Sequence, residues 1–181
     1  MLQIKIPLSP EGWDEEKQEF VEPTSKTIEL EHSLLSISKW ETKWKKPFFS
    51  KENKTYEEII DYVKCMTLSK NVDPNVYGYL TKENIETIWK YIDDPMTATK
   101  ITERGPKKPN REIITSEIVY YWMISFGIPF ECQKWHFNRL YTLIRVCDIK
   151  NSPPKKMSRA ETMRHNAALN ASRRKKMNTR G

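Results

Sequence analysis

Cys132 and His136 stand four residues apart, the spacing at which two side chains share one face of a helix. A thiolate beside an imidazole could work as nucleophile and base, or supply two of the four ligands a zinc ion needs. Neither chemistry is complete here. His32, His165, Cys65 and Cys147 show no second paired spacing, and Cys65 and Cys147 sit in apolar stretches where thiols are inert. The adjacent carboxylates Glu15-Glu16 and Asp93-Asp94 fall at a turn and a helix stop, where they read as solvated faces rather than an acid/base pair. Five glycines in 181 residues cannot build a phosphate-cradling loop, and Arg104-Gly105-Pro106-Lys107-Lys108 lacks the required pattern. The expectation is a chain that is not an enzyme, with no catalytic residues, no metal and no cofactor. His136, between Trp135 and Phe137, reads as a core or boundary histidine hydrogen-bonded to a neighbour. The three cysteines read as reduced thiols of a cytosolic protein.

The strongest chemical signal is charge, and it is segregated. Residues 153–181 hold nine basic side chains (Lys155, Lys156, Arg159, Arg164, Arg173, Arg174, Lys175, Lys176 and Arg180) against one acid, Glu161. That segment is +8 in a chain of +7, so residues 1–152 sum to about −1. Residues 1–31 carry eight acids against three lysines. The basic segment could neutralise phosphates without reading sequence. It has no interleaved aromatics on which bases could stack. It could equally fold onto an acidic protein partner, or meet the acidic front end in cis or in a second copy, making a homo-oligomer.

These residues must be positioned by elements that the pattern shows. Leu2, Ile4 and Ile6 alternate with Gln3 and Lys5, and Ile28 and Leu30 share one side of a second strand, so residues 1–31 read as an acidic β segment. Residues 32–45 have helical spacing and end at Lys46-Pro47. Thr55 with Glu58 forms a capping box for the next helix, and Thr81 caps a third that stops at Asp93-Asp94-Pro95. Residues 97–101 and 111–114 flank a basic loop and suggest a hairpin. Residues 115–126 are apolar almost all round, which predicts the buried centre of a bundle. Gly127-Ile128-Pro129 breaks that helix, and residues 132–151 form the last body helix. Pro153-Pro154 marks a boundary, beyond which Ser158 with Glu161 can cap a helix of little apolar mass. No apolar run approaches a membrane span. The expected fold is α+β, mainly α: an N-terminal β element (1–31) packed on a four- to five-helix core (body 32–152), then a basic, partly helical or flexible tail (153–181).

Several blocks together carry a resemblance. They include Leu30-Glu31-His32-Ser33-Leu34-Leu35-Ser36-Ile37-Ser38-Lys39-Trp40-Glu41, Lys46-Pro47-Phe48 and Lys54-Thr55-Tyr56-Glu57-Glu58. They continue in Ile128-Pro129-Phe130-Glu131-Cys132-Gln133-Lys134-Trp135-His136, Asn138-Arg139-Leu140 and Leu143-Ile144-Arg145-Val146-Cys147. They close with Asn166-Ala167-Ala168-Leu169-Asn170 and Asn178-Thr179-Arg180-Gly181. Over nearly its whole length the chain resembles a family found among the tail genes of long-tailed bacteriophages, the tail assembly chaperones. The resemblance implies a binding protein of the host cell cytoplasm that coats the aggregation-prone tape-measure protein until tail tube protein polymerises around it. It implies no catalytic residues, and in many members a second, frameshift-extended form. A holder of apolar helices needs an aromatic surface, which the Trp/Tyr-rich helices around Trp40, Trp44, Trp122 and Trp135 could line, with Trp40, Trp44 and Trp135 the candidates; plain core packing is the competing reading of each. The alternatives are a structural virion protein of the tail or head–tail region, and a phage nucleic-acid-binding protein acting through residues 153–181. The resemblance and the missing aromatics favour a protein-binding arm, with phosphate binding the runner-up.

Overall fold

Alternating apolar side chains open the chain as strand β1 (Leu2–Pro7). After it come β2 (Gly12–Asp14) and β3 (Glu19–Val21), which pair with each other, and β4 (Ser25–Leu30), which returns antiparallel along β1. Ile4 lies opposite Ile28 and Leu2 opposite Leu30. Ile4, Ile6, Ile28 and Leu30 are buried, so one face of the pair belongs to the core. The structure is a computed structural model describing residues 1–8, 12–14, 19–21, 24–101, 113–152 and 159–178, with 12–14 and 19–21 as backbone only.

The molecule is mainly helical. Helix α1 (Leu34–Trp44) begins at a capping box between Ser33 and Ser36, α2 (Tyr56–Met66) at one between Thr55 and Glu58, and α3 (Lys82–Asp93) at one between Thr81 and Asn84. Each box satisfies amide donors that a helix start otherwise leaves open. The chain leaving α2 docks on the free edge of β4: Glu31 N–H donates to the Met66 carbonyl at 2.9 Å and Leu68 N–H to the Glu29 carbonyl at 2.8 Å. Residues 74–79 form a 3-10 turn that Asp73 caps.

Helix α4 (Ser116–Ser125) ends in a Schellman motif. Gly127 takes φ +63°, and the Ile128 N–H reaches back to the Met123 carbonyl at 2.8 Å. A 3-10 turn at Phe130–Lys134 leads to α5 (Phe137–Asn151). One core joins the strand pair to the helices through Leu34, Ile37, Tyr62, Val63, Met66, Ile88, Val119, Met123, Leu140 and Ile144. The chain divides into two units, Met1–Ile149 and Lys150–Gly181. The second contains α6 (Arg159–Met177).

Two expectations are corrected. Residues 97–101 and 113–115 form no strand, so the expected hairpin has no described arms, and its loop, 102–112, lies outside the described residues. The helix expected over 132–151 is broken at Trp135-His136. There the backbone leaves helical geometry to bridge Ser33, and the Phe137 N–H donates to the His32 carbonyl at 2.7 Å. The Pro153-Pro154 boundary and Ser158 lie outside the described residues.

Candidate functional site

The Cys132–His136 pair does not share a helix face. Cys132 lies in the 3-10 turn, packed in the core, and His136 stands just before α5. His136 acts as a cap: its Nδ1 accepts the Asn138 N–H at 3.3 Å. Its Nε2 is 3.0 Å from the Tyr91 carbonyl, which can only accept, so Nε2 carries the proton. Burial holds its pKa below the ordinary value. His32 lies beside it, ring centroids 5.1 Å apart, with Nδ1 2.5 Å from the Tyr62 hydroxyl. Burial, and then the neighbouring His136, push the His32 pKa down to about 3. Burial raises the Tyr62 phenol, and burial with the Glu31 carboxylate raises that of Tyr91, whose hydroxyl donates to Glu31 Oε1 at 2.8 Å. The imidazoles and phenols of this cluster are therefore held neutral and already bonded. No buried side-chain nitrogen or oxygen among the described residues lacks a partner. No group of three metal-ligating side chains converges among the described residues. The three cysteines are free thiols, and burial raises the Cys65 thiol, which keeps it protonated.

The expected aromatic surface is only partly on the surface. Trp40 is 1% exposed, and its Nε1–H donates to the Glu58 carbonyl at 2.9 Å. It shares the inward face of α1 with Ile37 and is core, which corrects its placement among the candidates. Trp44, one turn on, is half-buried and donates from Nε1 to Asp61 Oδ2 at 3.0 Å, while Lys43 pairs with the other oxygen. Trp135 is half-buried beneath the Arg139 guanidinium, 4.3 Å from the ring centroid. Each of the three indoles is thus occupied within the body.

The exposed apolar surface lies instead on α4, the helix expected to be buried all round. Its N-terminus has no side-chain cap of its own. Glu41, from α1, supplies one: Oε2 accepts the Ser116 N–H at 2.8 Å, and Oε1 accepts the Phe48 N–H at 2.7 Å. This anchors the stripe Ser116, Val119 and Met123 inward. The opposite stripe faces out, with Tyr121 66% and Ile124 65% exposed. Trp122 and Phe126 line a cavity of ≈ 320 Å³ with Tyr141, Ile144, Arg145 and Asp148 of α5. On the other side, Phe130 is 53% exposed and tilted against Tyr120 at 6.4 Å. Tyr121 and Ile124 thus bridge two aromatic groups across the outward half of α4, an apolar surface of the kind that marks a binding site. Sequence reasoning missed it because a helix apolar on every side has no periodicity to say which side is covered. The available signal was the absence of any polar face over residues 118–124.

Of the nine basic candidates, Lys155, Lys156 and Arg180 lie outside the described residues. Arg159 and Arg164 stand in the first turns of α6, and Arg173, Arg174, Lys175 and Lys176 in its last. No side chain of α6 is buried. The terminal cations stand where they offset the negative end of the helix macrodipole, and Glu161 stands in the first turn, where an acid does the same. No family of proteins, no curated protein and no solved structure matches the chain. No helix among the described residues is long and apolar enough to cross a membrane.

Proposed function

We propose that this chain is a tail assembly factor of a long-tailed bacteriophage, acting by binding and not by catalysis. Its body holds apolar helical segments of another protein, and the tape-measure protein is the partner that the resemblance implies. The observation that carries the reading is the outward face of α4, where Tyr121 and Ile124 stand exposed, with exposed Phe130 of the following 3-10 turn and the cavity lined by Trp122 and Tyr141. Among the described residues every buried side-chain nitrogen and oxygen has a partner, which leaves this apolar surface as the feature to explain. A groove between two helices, lined by Trp122, Phe126, Tyr141 and Ile144 with the charged Arg145 and Asp148, suits an amphipathic third helix. Large anchors from that helix would enter the cavity and carry most of the affinity. The work would be done in the host cell cytoplasm before tail tube protein polymerises around its tape measure.

The test is co-expression with the tape-measure protein of the same phage. The expected result is a soluble complex, lost when Tyr121→Glu and Ile124→Glu are combined. A tape-measure protein no more soluble with the chain than without it would overturn the reading. Mass spectrometry of purified virions separates a chaperone, absent from the particle, from a structural tail protein present at high copy.

A further inference from the structure

Helix α6 belongs to a different unit from the apolar face and carries a different chemistry. It has six basic side chains and one acid, Glu161. All six are exposed, and none is in an ion pair among the described residues. Among the described residues, these six cations are therefore left without an ion-pair partner.

The arrangement of that charge selects its partner. Successive helical residues are about 100° apart, so Arg173, Arg174, Lys175 and Lys176 point in four directions round the axis. Arg159, roughly 21 Å back along the helix from Arg173, points between Arg173 and Arg174, and Arg164, roughly 14 Å back, lies on the same side as Lys175. A docked protein surface covers one side of a helix and would leave half of these cations facing water. An apolar seam that could hold such a surface is also missing: Met163 and Leu169, the larger apolar side chains before the basic turn, stand on different faces. A nucleic-acid groove differs, because its two phosphate rows meet an inserted helix from both sides. Ala160, Ala167, Ala168 and Ala171 keep the rest of the helix narrow. The helix has no Phe, Tyr or Trp, so unpaired bases find only His165 and guanidinium planes to stack on, which favours a duplex over a single strand.

We infer that α6 is a duplex-binding arm that grips the phosphates on both sides of a groove without reading sequence. The inference does not rest on the tape-measure reading, because it concerns other residues and another ligand. The arm alone is marginal as a helix, so the duplex should also increase its helicity.

The test titrates the full-length chain onto a short labelled duplex of random sequence. It compares wild type with the combined variant Arg173→Ala, Arg174→Ala, Lys175→Ala and Lys176→Ala. Alanine is the best helix former and no side chain of α6 is buried, so the variant keeps its helix, which unchanged far-ultraviolet circular dichroism of the free chain verifies. If four phosphates are neutralised, wild-type affinity falls on the order of 100-fold between about 50 and 200 mM salt. The variant loses most of the affinity and most of the salt slope. A variant that binds like wild type overturns the assignment. So does polyglutamate that displaces the duplex at equal charge, since the arm would then be a dock for acidic protein. The Tyr121→Glu, Ile124→Glu variant keeps duplex binding, so failure here and failure of the chaperone reading are separable.

Discussion

Glu41 closes the start of a helix that is not its own: its carboxylate, from the middle of α1, takes the Ser116 N–H of α4 at 2.8 Å and the Phe48 N–H at 2.7 Å. A buried carboxylate against two amide donors at a helix N-terminus makes charge-assisted bonds and meets the positive end of the dipole. Glu41→Ala leaves two donors open and should cost about 3 kcal/mol in urea unfolding. Glu41→Gln keeps one acceptor and should cost about half as much. Equal stability of all three proteins would show that water replaces the carboxylate.

Met123 and Ile124 are neighbours on α4 with opposite environments: Met123 is fully buried, whereas Ile124 is among the most exposed aliphatic side chains of the body. Met123→Ala should destabilise by about 2–4 kcal/mol through the cavity it leaves. Ile124→Ala should stay within about 0.5 kcal/mol. Comparable losses at both positions would restore the all-buried helix that the sequence suggests.

The buried histidines make stability depend on pH with a definite sign. His32 titrates near 3 in the fold and near 6.5 in the unfolded chain. The unfolded state therefore binds more protons between those values, and the contribution of neutral His32 is whole above about pH 6.5 and shrinks as pH falls towards 3. His136 is shifted the same way, and both lie near the Tyr62 and Tyr91 phenols and the Glu31 carboxylate. From about pH 7 to 5, above the usual carboxylate range, His32 alone should remove about 2 kcal/mol. Chemical denaturation at both values reads this directly. His32→Gln should flatten the dependence by that amount, and an unfolding free energy that does not change with pH in wild type would refute the account.

Gly127 holds φ +63° where the backbone turns out of α4, and a Cβ built there meets no neighbour within 4 Å. The cost of Gly127→Ala is therefore conformational, about 1–2 kcal/mol. Gly127→Asn should cost less, since Asn tolerates this region better. If Ala is the better tolerated of the two, the left-handed turn is not what selects glycine.

Local signals were legible where local chemistry decides. Thr55 with Glu58, and Thr81, announce their helices because a cap needs only the next three residues. The alternation around Ile4 and Ile28 announces the strand pair in the same way. What the sequence hides is long-range. Nothing near Thr115 says that its helix is capped from Glu41, 75 residues away from Ser116. Nothing near His136 says that the chain must break there to bridge Ser33. Trp40 and Trp44 share a helix and both donate to α2, yet Trp40 is buried against the Glu58 carbonyl whereas Trp44 meets the Asp61 carboxylate and stays half-buried. The exposed side of α4 was hidden for the opposite reason, because its sequence looks the same from every side.

The bridge between Ser33 and His136 also sets an order of events during synthesis. The strand pair and α1 leave the ribosome first, but His32 cannot be enclosed until residues 136 and 137 have emerged, about a hundred residues later. At roughly 5–20 residues per second, that is a delay on the order of 5–20 s. Throughout it, the nascent N-terminal third presents Leu34, Ile37 and Phe48 without the α5 side chains that complete their shared core.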